Sequence, residues 1–88
     1  MLLNNNILIV EDEEHIRKFV RINLEGNGFN AWEADTGEKG LEIVRNEEID
    51  VVLLDIMLPG IDGFQVCKIL REEFPSIGII MLTAKSQD

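Results

Sequence analysis

A single cysteine, Cys67, leaves this chain of 88 residues without a partner for an internal disulfide. With no signal-peptide pattern at the N-terminus, that points to a reducing, cytoplasmic setting. Basic residues are also scarce: eight Lys and Arg against seventeen acids give a net charge of −9. A nucleic-acid or anionic-membrane surface needs clustered Lys and Arg, so neither belongs to this chain. Arg17, Lys18 and Arg21 come nearest to a group; at helical spacing among acids they read as a solvated helix face, with docking of an acidic partner as the other reading. The longest apolar runs hold four residues, far short of the ~20 that cross a bilayer. Repeats, low-complexity tracts and linker-like composition are absent, so there is no domain boundary to draw.

What is present is a globular composition, 45% hydrophobic and 28% charged, in a chain long enough for one domain with a thin-margined core. Ile7-Leu8-Ile9-Val10, between three asparagines and a set of acids, predicts a strand buried on both faces. Ile16, Phe19, Val20 and Leu24 recur at helical spacing and predict a helix over 14–25, stopped by Gly26-Asn27-Gly28. A short strand over 29–34 follows, then a helix capped by Asp35 or Thr36 that carries Leu41, Ile43 and Val44. Residues 51–54 predict a third strand. Asp62 caps a third helix with Val66, Cys67, Leu70 and Phe74 inward and Pro75 as its stop, and 79–82 predict a fourth strand.

Strands alternating with helices predict an α/β fold, a doubly wound parallel sheet with helices on both faces. Ligands in such sheets bind beyond the carboxyl ends of the strands, where strand order reverses. If the first and third strands are neighbours, Glu11, Asp12 and Asp55 emerge in one crevice. Three converging carboxylates repel one another unless a cation offsets the charge. A hard divalent ion such as Mg²⁺ suits an all-oxygen set, and a carboxylate beside it stays ionised and able to attack a phosphoryl group. Each feature has a plainer reading. A lone Asp at a strand end is more often a turn former or helix cap, and Glu11-Asp12-Glu13-Glu14 alone suits a solvated helix N-terminus on dipole grounds. Their coincidence at corresponding strand ends favours the site, and Thr83 adds a hydroxyl at a third strand end.

The segments I-L-I-V-E-D-E-E, L-L-D-I-M-L-P-G-I-D-G and M-L-T-A-K, in this order and spacing, resemble the receiver domain of two-component response regulators. Their wording is most similar to receivers of the OmpR/PhoB type, which precede a winged-helix DNA-binding domain. The resemblance implies a flavodoxin-like strand order 2-1-3-4. It implies Asp55 as phosphoacceptor for a phosphoryl group from a histidine of a sensor kinase, and Asp12 as a direct Mg²⁺ ligand. Glu11 would act mainly through a metal-bound water, and Met57 would offer its carbonyl to the metal. Thr83 would be the switch hydroxyl, the Ala84 amide would contact a phosphoryl oxygen, and Pro59-Gly60 and Asp62-Gly63 would shape the loop and the helix cap behind them. Beyond transfer to Asp55 and slow hydrolysis there, no enzymatic turnover is implied. Transcriptional output would require a DNA-binding domain outside these residues.

Receivers continue with a further helix, strand and helix, so residues 1–88 read as a receiver truncated after the fourth strand. The family's Lys-Pro element and aromatic switch residue then have no counterpart, and Lys85 reads as an exposed loop charge. The fourth strand would be an open apolar edge, from which self-association, strand exchange or marginal stability is expected.

Other residues invite plainer readings: His15 at the surface, Cys67 as a packed core thiol, Trp32 as structural. Phe64 and Ile69 either complete the packing or form a kinase-docking patch with the first helix. An Asp-nucleophile phosphatase of the haloacid dehalogenase type would need a second Asp where Met57 stands. An EF-hand loop fails because Leu58 would occupy its first ligand position if Gly63 is the turn glycine. No dinucleotide-binding glycine pattern follows the first strand.

Overall fold

The computed structural model describes residues 5–82. Its elements are β1 (Asn6–Val10), α1 (Glu14–Gly26), β2 (Asn30–Ala34), α2 (Gly37–Asn46), β3 (Val51–Asp55), α3 (Gly63–Glu73) and β4 (Gly78–Leu82). The strands form one parallel sheet in the order β2-β1-β3-β4. The adjacency of β1 and β3, which periodicity leaves open, is therefore realised, and the reversal of strand order falls between them.

Each strand differs by about a residue from its expected bounds, because ladder bonds follow tertiary partners rather than hydropathy. Asn6, for example, joins β1 because it pairs with Asn30 of β2 and its carbonyl accepts from the Asp50 amide at 2.8 Å.

Side chains alternate between the faces of the sheet. Leu8, Val10, Val52 and Leu54 join Leu41 and Val44 of α2 and Val66 and Leu70 of α3 in the main core. Trp32, Cys67, Ile69 and Phe74 are partly buried and pack against that core. Glycine lets the layers close: a Cβ at Gly40 would lie 2.9 Å from Val10 Cγ2, and one at Gly37 2.9 Å from Ile61 Cγ1.

The opposite face carries α1, and its cover is uneven. Glu33, Ile9, Leu53 and Ile80 lie level across the sheet on that face. Ile9 is fully buried, Leu53 is half-buried and Ile80 is 54% exposed. Helix α1 thus shields β1 and β2 and leaves β3 and β4 increasingly open. Phe19 departs from the inward stripe expected of α1 and is 68% exposed, as is Ile22. Residues 16, 20 and 24 share one line of the helix, and position 19 lies about 100° round from Val20, toward the uncovered side.

The helix ends follow their sequence signals. Thr36 Oγ1 accepts from Lys39 N at 3.1 Å, selecting Thr36 over Asp35 as the cap of α2. Asp62 caps α3 through a reciprocal pair with Gln65, Asp62 Oδ1 accepting at 2.9 Å and Gln65 Oε1 at 3.0 Å.

Candidate functional site

The register brings the acids together. Val10 pairs with Leu54, so Glu11 and Asp55, each one residue further along, stand level at the carboxyl end of the sheet. The Glu11 amide donates to the Ala34 carbonyl at 3.1 Å, extending the β1–β2 ladder past the end of β1. Glu11 is 2% exposed and Asp55 is 1% exposed, whereas Asp12 faces solvent. One carboxylate oxygen from each of Glu11, Asp12 and Asp55 lies within 4.8 Å of the others. That donor set is hard and all-oxygen, which suits Mg²⁺ or Ca²⁺ over a softer metal.

Two amides orient the buried acids. Glu13 N donates to Glu11 Oε2 at 3.0 Å, and Met57 N donates to Asp55 Oδ1 at 3.3 Å. Behind Asp55 the chain turns at Gly60, whose φ of +74° lies in the left-handed region that favours glycine. It then returns so closely that a Cβ on Gly63 would overlap the Asp55 carbonyl and approach Ile56 Cα to 2.7 Å. The Gly63 amide donates to the Ile56 carbonyl at 2.9 Å, which pins the start of α3 beneath the end of β3. A cleft of about 470 Å³ opens beside Asp12 along Met57, Pro59, Asp62 and Phe64. Phe64 is exposed at its rim rather than buried in the core.

Thr83 and Ala84, expected on the third wall, lie outside the described residues, as does Lys85. Their predecessor Leu82 pairs with Asp55 in the ladder, so the chain leaves β4 level with the acids. A larger hollow of about 590 Å³ lies between the α2–β3 and α3–β4 connections, lined by Ile49, Asp50, Glu73 and Phe74 among others. Glu73 is engaged there by Arg45 at 3.0 and 2.8 Å, and no other acidic group among the described residues converges as Glu11, Asp12 and Asp55 do.

The α1 cations differ from the solvated face expected of them. Arg17 donates from Nε to Glu33 Oε1 at 2.7 Å and from Nη1 to the Glu11 carbonyl at 2.9 Å. Arg21 donates from Nη1 to Glu33 Oε2 at 2.9 Å, and Lys18 Nζ lies 3.7 Å from the same oxygen. Burial alone would raise the Glu33 carboxyl, but hydrogen bonds from Arg21 and Arg17, with the charge of Lys18, hold it below the ordinary range. Of the three, only Arg17 is largely shielded from water, at 14% side-chain exposure; the Arg21 and Lys18 side chains are 42% and 54% exposed. Sequence spacing shows the three cations on one helix face; it does not show that β2 delivers an acid to them.

Residues 7–88 match the family described as the response regulator receiver domain. The chain is 42% identical over 86 residues to the alkaline phosphatase synthesis transcriptional regulatory protein PhoP of Bacillus subtilis, covering 98% of this chain and 36% of that protein. It is 40% identical over 83 residues to the transcriptional regulatory protein AfsQ1 of Streptomyces coelicolor, covering 94% of this chain and again 36% of the relative. The chain therefore spans about a third of the length of these curated relatives. Among solved structures, Thermotoga maritima TrrA in complex with Mg²⁺-BeF superposes with a TM-score of 0.88 at 36% identity, over 93% of this chain and 71% of that one. A complex of the histidine kinase ThkA with TrrA gives a TM-score of 0.87 at 36% identity, over 94% and 72% of the two chains.

Proposed function

This chain belongs to the response regulator receiver domain family, and from that premise we propose that it takes a phosphoryl group from a sensor-kinase histidine onto Asp55. The observation that carries this reading is the convergence of Glu11, Asp12 and Asp55 within 4.8 Å at the reversal of strand order. An Asp55 carboxylate oxygen attacks phosphorus as the bond from phosphorus to the kinase imidazole nitrogen breaks, and that nitrogen keeps the electron pair. The product is an acyl phosphate on Asp55, and the kinase histidine leaves neutral because its other ring nitrogen carries a proton. Glu11, Asp12, Asp55 and the Met57 carbonyl would hold Mg²⁺, which when bound supplies positive charge for the phosphoryl oxygens.

The protein's own part is placement. Strand β3 delivers Asp55 from a rigid, buried position, and the Met57 amide fixes one of its oxygens. Thr83 would meet a phosphoryl oxygen with its hydroxyl and Ala84 with its amide. The chain turns over no external substrate apart from this transfer and the slow hydrolysis of its product. Among the described residues no helix is long and apolar enough to cross a membrane, and a cytoplasmic setting accords with a kinase partner. In a longer protein the phosphorylated domain would control transcription through a DNA-binding domain. For this chain itself the open edge of β4, whose one strand partner among the described residues is β3, supports self-association by strand pairing or exchange.

The test is intact-mass spectrometry after incubation with acetyl phosphate and Mg²⁺, beside Asp55→Asn. One phosphoryl adduct on the wild type and none on the variant is expected. An adduct on both, or on neither, would count against Asp55 as the acceptor.

A further inference from the structure

One side chain ties the β2 acid Glu33 to the turn that carries the metal-site acids. Arg17 has a side-chain exposure of 14% and Glu33 of 13%, so their ion pair is largely shielded from water. From that anchor the guanidinium reaches the main-chain carbonyl of Glu11 at 2.9 Å. The same turn is closed from within by Glu13 N on Glu11 Oε2, and by Arg17 N on the Glu13 carbonyl, each at 3.0 Å. The direction in which Glu11 and Asp12 leave β1 is therefore set by the β2 ladder on one side and Arg17 on the other.

We infer that Arg17 is a positioning residue of the metal site, holding the Glu11-Asp12 turn where both acids can share an ion with Asp55. This rests on the metal reading given above. The role suits arginine: one nitrogen engages Glu33 while a second, at a fixed angle, engages the carbonyl, a rigid fork that the point charge of an ammonium on a flexible stem does not reproduce.

Charge and position predict opposite outcomes. Arg17 puts a positive charge beside an acidic cluster, so on Coulomb grounds its removal would tighten the binding of a divalent cation. If Arg17 positions the turn, its removal weakens that binding, as loss of supporting contacts behind metal ligands typically does by about 10- to 100-fold. Arg21 separates the two effects. It carries the same charge on the same helix and bonds the same Glu33, but its Nε donates to Glu25 rather than to the turn.

The experiment is calorimetric titration of Mg²⁺ into the 88-residue chain and its Arg17→Ala, Arg17→Lys and Arg21→Ala variants, with metal-free thermal unfolding of each. Arg17→Ala is expected to bind Mg²⁺ about 10- to 100-fold more weakly. Arg21→Ala is expected to bind as tightly as wild type or more so, while losing thermal stability of its own. Arg17→Lys is expected to recover stability better than it recovers Mg²⁺ affinity, and it decides the question if Arg17→Ala fails to fold. Undiminished affinity in Arg17→Ala, equal weakening in Arg21→Ala, or full affinity in Arg17→Lys would each overturn the inference. A wild type that binds no Mg²⁺ overturns the metal reading and this inference with it, whereas wild-type binding that Arg17→Ala leaves intact overturns the positioning role alone.

Discussion

Gly63 lies against the main-chain carbonyl of Asp55, too close for any side chain to stand between them. The first residue of α3 and the last residue of β3 thus share one tight contact behind the buried carboxylate. Gly63→Ala must push the helix or the strand end aside, at a cost of about 1–3 kcal/mol. At Gly26, in contrast, an added Cβ would meet nothing within 4 Å, so Gly26→Ala is expected to be neutral or to stabilise by about 0.5 kcal/mol. Urea unfolding of the two variants checks the pair, and equal effects would show that the Gly63 contact does not constrain the site.

Metal should change the stability of the folded chain. Without a cation the three acids repel, so Asp55→Asn in metal-free buffer is expected to be more stable than wild type by something on the order of 1 kcal/mol. With free Mg²⁺ a hundredfold above its dissociation constant the wild type should gain about 2.7 kcal/mol, and the variant clearly less. Thermal unfolding across a Mg²⁺ series reads both, and parallel curves for the two proteins would contradict the prediction.

The Glu33 cluster gives a pH dependence. Its folded-state carboxyl lies below the ordinary value of 4.5, because the Arg21 and Arg17 hydrogen bonds outweigh the effect of burial. A depressed carboxyl contributes stability that is fully present above the unfolded value and is lost as pH falls through the folded one. Glu33→Gln should therefore be less stable than wild type near neutral pH, by about 1 kcal/mol, and the difference should shrink as pH falls below 4.5. Denaturant midpoints at stepped pH measure it; a gap that widens toward acid would reverse the sign of the argument.

The edge strand offers a test of association. Ile80 is 54% exposed on β4, and the segment Gly-Ile-Ile-Met-Leu carries no charge to discourage pairing. Ile80→Lys is expected to shift the chain toward monomer in sedimentation velocity at concentrations where wild type associates. A wild type that stays monomeric across the range would exclude the edge as a docking surface.

Much of this architecture was legible from local signals. The runs around Leu8 and Val52 predict buried strands, and Thr36 and Asp62 cap their helices by chemistry that operates over three residues. The acids of the site could be named in advance because they follow such strands. Other features depend on partners distant in the chain. Glu33 meets Arg17 across sixteen positions, and no periodicity links a strand acid to a particular helix cation. Phe19 fits the apolar stripe of α1 by residue type, yet it lies exposed because the helix sits over β1 and β2 rather than over the centre of the sheet. What covers a side chain depends on the tertiary position of the whole element.

The graded cover of Ile9, Leu53 and Ile80 gives the acidic groove two unlike walls. On one side β1, clad on both faces, works as a fixed jaw carrying Glu11 and Asp12. On the other, β4 has one neighbouring strand among the described residues and is less fully clad, and the chain runs from it into Thr83. A load applied at Asp55, between the jaws, meets more resistance from the first than from the second. On cover alone, β4 is expected to yield before β1, a bias set by side-chain burial before any ligand arrives.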